Sequence, residues 1–183
     1  MNDPLTDRLK QIQQRFEAQR PILVKKMAAV GIVFIKENFQ KQGFQGATFE
    51  PWLKRANKKD TTPILFKSGT LFRSPFTSYS DAEKAIITSS LPYSRIHNEG
   101  GLIQHTAHSA ILNFYEKGGK LKLGKVGTIN QQRKISTIRR ATIGAHESHM
   151  PKRQFMGPSP VLSARITEML RKELPKVFTI TSS

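Results

Sequence analysis

The 183-residue sequence has no cysteine, which excludes disulfides, thiolate nucleophiles and cysteine-ligated zinc or iron–sulfur centres. Long hydrophobic runs are also missing. The longest, Met27 to Ile35, is far short of the roughly 20 residues a membrane helix needs, so no membrane partner is expected. Acidic residues are scarce, 13 Asp+Glu against 30 Lys+Arg, which weakens any two-carboxylate mechanism. Glycine is present, but Gly43-Phe44-Gln45-Gly46 and Gly118-Gly119 lack the spacing of a phosphate-cradling loop, and Lys67-Ser68-Gly69 lacks the frame of a nucleophile elbow. The polar N-terminus, with Asp3 and Asp7, does not read as a secretory signal, so export by that route is not expected. These absences point away from an enzyme and from any bound cofactor.

What is present is charge of one sign, +17 overall, and this calls for an anionic neighbour: nucleic acid, an acidic protein surface or a membrane face. Eight basic residues, Lys117, Lys120, Lys122, Lys125, Arg133, Lys134, Arg139 and Arg140, lie between Glu116 and Glu147 with no acidic residue among them. That segment reads as a basic arm or long hairpin whose contacts are phosphates of DNA or an acidic patch on a neighbouring subunit. It holds no aromatic residue after Tyr115, so stacking on single strands has little support there.

The length suits a single domain, 1–183. Residues 1–42 read as N-terminal helices: Leu5, Leu9, Ile12 and Phe16 recur at helical spacing, Pro21 predicts a kink or new start, and Ile22 to Phe39 is apolar on several faces. Residues 43–64 read as a surface loop anchored by Trp52. In 65–101, Phe76 to Tyr79 and Lys84 to Ser89 predict a hairpin turning at Ser80-Asp81, and Tyr93 to Asn98 one helical turn ended by Gly100-Gly101. The arm occupies 102–149, with strands expected at Ile111 to Tyr115 and Lys120 to Val126. In 150–183, Ser159 caps a helix that starts at Pro160 and is expected to stop at Pro175. The fold class is therefore α+β, a small antiparallel sheet packed against N-terminal helices and a C-terminal helix, with a projecting basic arm. Two His-x-x-His pairs, His105/His108 and His146/His149, have ligand spacing, but neither lies on a strongly predicted helix, so loop histidines are the expectation and no metal is assigned.

Three motifs in fixed order carry a resemblance. They are Leu65-x-x-Ser68-Gly69-x-Leu71-x-x-Ser74, then Tyr93-Ser94-Arg95-Ile96-His97-Asn98-Glu99-Gly100-Gly101, then Met150-Pro151-Lys152-Arg153-Gln154-Phe155-Met156-Gly157-x-Ser159. The chain thereby resembles the virion morphogenesis family of tailed bacteriophages, which includes the tail-completion proteins of P2-like and Mu-like phages. The family pattern has Ala at the positions of Ser94 and Lys152, a second Pro at Gln154, and Ile and Leu at Met150 and Met156. The resemblance implies a phage or prophage virion protein acting in tail completion and head–tail joining, with tail or neck proteins as partners and a homo-oligomeric ring in the particle. It also implies assembly in the host cytoplasm before incorporation into the virion. Nonspecific DNA binding through the arm is the alternative. Physically, Gly69 is expected to turn the chain into the first strand and His97 to bond a backbone carbonyl. Arg153 is expected to clamp backbone or a neighbour's carboxylate, and Phe155 to anchor the last helix.

Overall fold

The computed structural model describes residues 4–55, 60–117, 120–123 and 135–178. Contacts divide the chain into two compact units, one formed by residues 1–100 with 151–183 and the other by Gly101–Met150. Helices and antiparallel strands coexist, with the strands spread over four small sheets instead of one.

The first unit is organised by α1, a helix of 38 residues from Pro4 to Lys41. Its buried positions, Leu23, Val24, Ala28, Gly31, Phe34, Ile35, Asn38 and Phe39, recur every three to four residues and so form one stripe. The break expected at Pro21 does not occur, and the helix passes through it as a single element. A mid-helix proline removes one hydrogen bond and crowds the carbonyl four residues earlier. The buried stripe that starts two residues later supplies the packing that outweighs this local cost. Before Pro21 no residue of the helix is buried, but Phe16 stacks on Phe178 with centroids 6.4 Å apart.

The segment expected to be loop instead begins with a short hairpin, β1 (Gly43–Gln45) paired with β2 (Phe49–Pro51). Phe44, Gln45 and Trp52 are all buried, so the segment contributes to the core. The one-turn helix α2 (Thr70–Arg73) follows, then β3 (Pro75–Ser80) and β4 (Ala85–Ser89), which pair antiparallel as the alternation predicts. Asp81 closes their turn by accepting from the backbone N–H groups of Glu83 and Lys84, both at 2.7 Å. This ribbon lies close on α1: a Cβ at Gly31 would stand 2.6 Å from Ile87 Cδ1. Helix α3 spans Ser94–Glu99 and ends at Gly100, whose φ of 75° needs glycine.

Helix α4 runs from Pro160 to Phe178 and continues through Pro175, where a stop was expected. Ser159 caps it, its Oγ accepting from the N–H groups of Val161 (3.1 Å) and Leu162 (3.3 Å) while donating to Gln45 O. Two ion pairs join α4 to α1, Arg165 with Glu37 at 2.8 Å and Lys26 with Glu173 at 2.5 Å. The core cluster contains Phe34, Ile35, Phe39, Phe44, Trp52, Leu71 and Phe155. Phe39 lies at its centre, with ring centroids 5.0 Å from Phe155, 5.4 Å from Trp52 and 5.8 Å from Phe72.

The second unit coincides closely with the segment singled out by charge. Strand β5 (Gly101–His105) pairs with β9 (His146–Met150), and β6 (His108–Lys117) pairs with both β7 (Lys120–Leu123) and β8 (Ile135–Ile143). The ribbon keeps one register across its break: His105 faces His146 and, three residues further along each strand, His108 faces Ile143. Of the eight basic positions, Lys117, Lys120 and Lys122 fall in β6 and β7, and Arg139 and Arg140 in β8. Lys125, Arg133 and Lys134 lie outside the described residues.

Candidate functional site

The three sequence motifs meet around one stretch of irregular backbone, residues 151–157, which leads into α4. In the first motif, Ser68 Oγ bonds Thr70 Oγ1 at 2.8 Å, and Gly69 adopts φ 69°. Gly69 thereby starts α2, not a strand as expected. Arg73 folds back so that its guanidinium donates to Ser68 O at 2.9 Å. Leu71 enters the core, Leu65 packs against it with φ 60°, and Ser74 Oγ donates to Leu71 O at 2.8 Å and lies 2.7 Å from Ser89 Oγ.

The second and third motifs are stitched together directly. Arg153 N–H donates to His97 O at 2.9 Å, so that histidine contributes its backbone carbonyl. Its ring was expected to bond a carbonyl, but Nδ1 is buried and has no hydrogen-bond partner among the described residues. Tyr93, 41% exposed, stands edge-on to that ring at 5.9 Å, and Ile96 is half-buried on the same helix. Burial first and the Arg153 charge second hold His97 below the usual imidazole range. A Cβ at Gly100 would stand 2.8 Å from Lys152 N, so glycine lets the irregular backbone after Pro151 pass close by.

Phe155 is fully buried, and its backbone is gripped from two sides. Asn98 Oδ1 accepts from the N–H groups of Phe155 and Met156, both at 2.9 Å. Asn38 Nδ2 donates to Phe155 O at 3.2 Å, while Asn38 Oδ1 accepts from Gln45 N and Gln45 Nε2. Trp52 Nε1 donates to Gln154 O at 2.7 Å. Gly157, with φ 151°, completes the turn before the Ser159 cap. Asn98 lies inside the second motif without a role expected of it, and Asn38 lies outside all three, where an asparagine amid the apolar stripe of α1 was the available signal.

Arg153 is 8% exposed, and its guanidinium bonds Leu53 O through Nε at 3.2 Å. It therefore clamps backbone, and among the described residues no carboxylate pairs with it. Burial first and the Arg55 charge second lower its pKa. In the second unit, the His105 and His146 rings stack with centroids 4.6 Å apart, and His105 Nε2 lies 2.8 Å from Ser148 Oγ. Among the described residues no group of three or more His, Asp or Glu is placed to hold a metal ion, and no helix is long and apolar enough to cross a membrane.

The geometry defines a small α+β protein whose motifs around Phe155 hold α4 onto α1. The chain matches the phage virion morphogenesis family over residues 2–175, and it belongs to that family. No curated protein and no solved structure gives a match to the chain. Membership ties the protein to the building of phage particles.

Proposed function

We propose that the protein completes the phage tail and joins it to the head, acting as a structural subunit with no chemistry of its own. Beyond family membership, the observation that supports this reading is apolar surface. Thirteen large apolar side chains are exposed against ten buried hydrophobic residues among those described. Single exposed apolar residues are ordinary, but clustered ones mark contact surfaces. Phe76, Tyr79 and Ile86 are 45%, 48% and 48% exposed and share the outer face of the β3–β4 ribbon, whose inner face meets α1 through Ile87. Ile22 and Val33 add exposed apolar area on α1.

In this reading like subunits form a ring in the particle, one surface meeting the tail tube and another the head, after assembly in the host cytoplasm. Native mass spectrometry with and without the tail-tube protein tests it. Oligomers, or a stable complex with that protein, are expected. Only monomer under both conditions refutes the reading. Steep, salt-sensitive duplex binding abolished by neutralising Arg133, Lys134, Arg139 and Arg140 transfers the function to DNA contact instead.

A further inference from the structure

We propose that the turns of α1 before Phe16 form a docking seam for an amphipathic helix of another protein, one with acidic residues along its flank. That this protein belongs to the particle rests on the assembly reading above, but the seam itself does not. Leu5, Leu9, Ile12 and Phe16 are spaced four, three and four apart, the interval at which one helix packs along another. Phe16 stacks on Phe178, the last residue of α4, and further along the same line Leu23 lies beside Glu173. The stripe is therefore the α1–α4 interface carried on past the end of α4. From Phe16 back to Leu5 it runs about 17 Å by helical rise. Leu5 and Leu9 are 62% and 58% exposed there.

Charge names the partner. Along one flank of α1 stand Lys26, Arg15 and Arg8, about three turns and then two turns apart. The chain itself answers Lys26 with a glutamate of the packed helix, Glu173 at 2.5 Å. Glu173 is shared with Lys176 at 2.9 Å, and Arg15 and Arg8 pair with no carboxylate among the described residues. The described carboxylates of this stretch, Asp7 and Glu17, lie off the seam, and Glu17 bonds Arg20 at 2.8 Å. A helix that prolongs the line of α4, with carboxylates opposite Arg15 and Arg8, repeats the arrangement already built at Lys26. A second copy of the chain does not, because an antiparallel pair sets Arg8 against Arg15 and a parallel pair sets Arg15 against Arg20.

The test uses the intact chain and three synthetic helical peptides at about 0.15 M salt, where longer-range charge is screened. One peptide has Leu at the seam positions and Glu on the flanks, the second has Lys on the flanks, and the third keeps the acidic composition but scrambles the Leu spacing. NMR follows the methyl groups of Leu9 and Ile12. Saturable shifts are expected with the first peptide, which should bind at least about tenfold more tightly than either of the others. Reversing both Arg8→Glu and Arg15→Glu should cut its advantage over the Lys peptide at least about fivefold, and Leu9→Gln should weaken it about tenfold. No residue of this stretch is buried, so these variants should keep the unfolding midpoint of the parent chain. Equal binding of the scrambled peptide, or an advantage untouched by the charge reversal, overturns the proposal. Methyl shifts that follow protein concentration without peptide assign the seam to a second copy and overturn it, as do contacts from Ile180 to Leu9, which assign it to the chain's own end. A stable complex with the tail-tube protein but no peptide binding refutes the seam alone, whereas the expected peptide binding by a chain that never assembles supports the seam and refutes only the assembly reading.

Discussion

Replacing Asn38 and Asn98, singly and together, tests whether Phe155 is held through its own peptide groups. Asn98→Ala strips the N–H groups of Phe155 and Met156 of their acceptor. An unsatisfied buried donor costs about 1–3 kcal/mol, so two partly buried ones imply a loss of about 2–4 kcal/mol. Asn38 is fully buried, and its removal frees Phe155 O, Gln45 N and Gln45 Nε2 while leaving a cavity, for about 3–5 kcal/mol. The two side chains grip one residue from opposite sides, so the double variant should lose less than the sum of the singles, by about 0.5–3 kcal/mol. Aspartate separates their roles. The bonds Asn98 makes to this turn use only its oxygen, so Asn98→Asp should retain most of the stability at neutral pH. Asn38→Asp loses the donor to Phe155 O and buries a charge, and should cost at least as much as Asn38→Ala. Urea unfolding followed by fluorescence of the single Trp52 reads all five variants. Strict additivity, or a loss below about 0.5 kcal/mol for either alanine variant, refutes the reasoning.

Three further outcomes are expected. Lys26 and then Lys176 hold the Glu173 carboxyl down at about 2, and Arg165 lowers that of Glu37. Both folded values lie below the unfolded one, so the stability they contribute is present above pH ~4.3 and lost as pH falls from there toward about 2. Denaturation between pH 2 and 5 should show this slope and Glu173→Gln should flatten it; an unchanged slope contradicts the α1–α4 pairing. Gly100→Ala forces a Cβ into a glycine-only conformation against Lys152 and should cost about 2–3 kcal/mol in a thermal melt. Gly31→Ala should destabilise despite the roughly 1 kcal/mol propensity gain of alanine, because of Ile87 Cδ1 at 2.6 Å. Adding Ile87→Val, which removes that atom, should restore the loss, and failure to do so argues against a close approach there.

Features with local chemistry were legible in the sequence. The periodic apolar positions of α1, the β3–β4 hairpin, the turn of α3 before Gly100 and the Ser159 cap are each specified by residues a few positions apart. The misreadings have a common cause, since long-range packing overrode local signals. Pro21 and Pro175 sit inside helices because neighbouring turns pack, and Phe44 and Trp52 were placed in a loop because their partners lie far along the chain. The clamp on Phe155 joins residues 117 and 57 positions apart, a separation that leaves no periodic trace. For His97 the motif was visible but not which of its groups would bond, since a backbone carbonyl and a ring nitrogen look alike in sequence.

The long run of constant register in the second unit, up to the shift between Phe114 and Tyr115, makes it a ruler. From Gly101 facing Met150 to Phe114 facing Thr137 the pairing never slips, even across the gap after His105. A single inserted residue within the ribbon would send every side chain beyond it to the opposite face. Change in length that keeps both pairing and faces therefore takes two residues on each strand, adding roughly 6.8 Å to the span, unless a bulge like the shift between Phe114 and Tyr115 absorbs an odd residue. Relatives whose second unit differs in length should differ here by matched additions on the two strands, with the clamp around Phe155 left as it is.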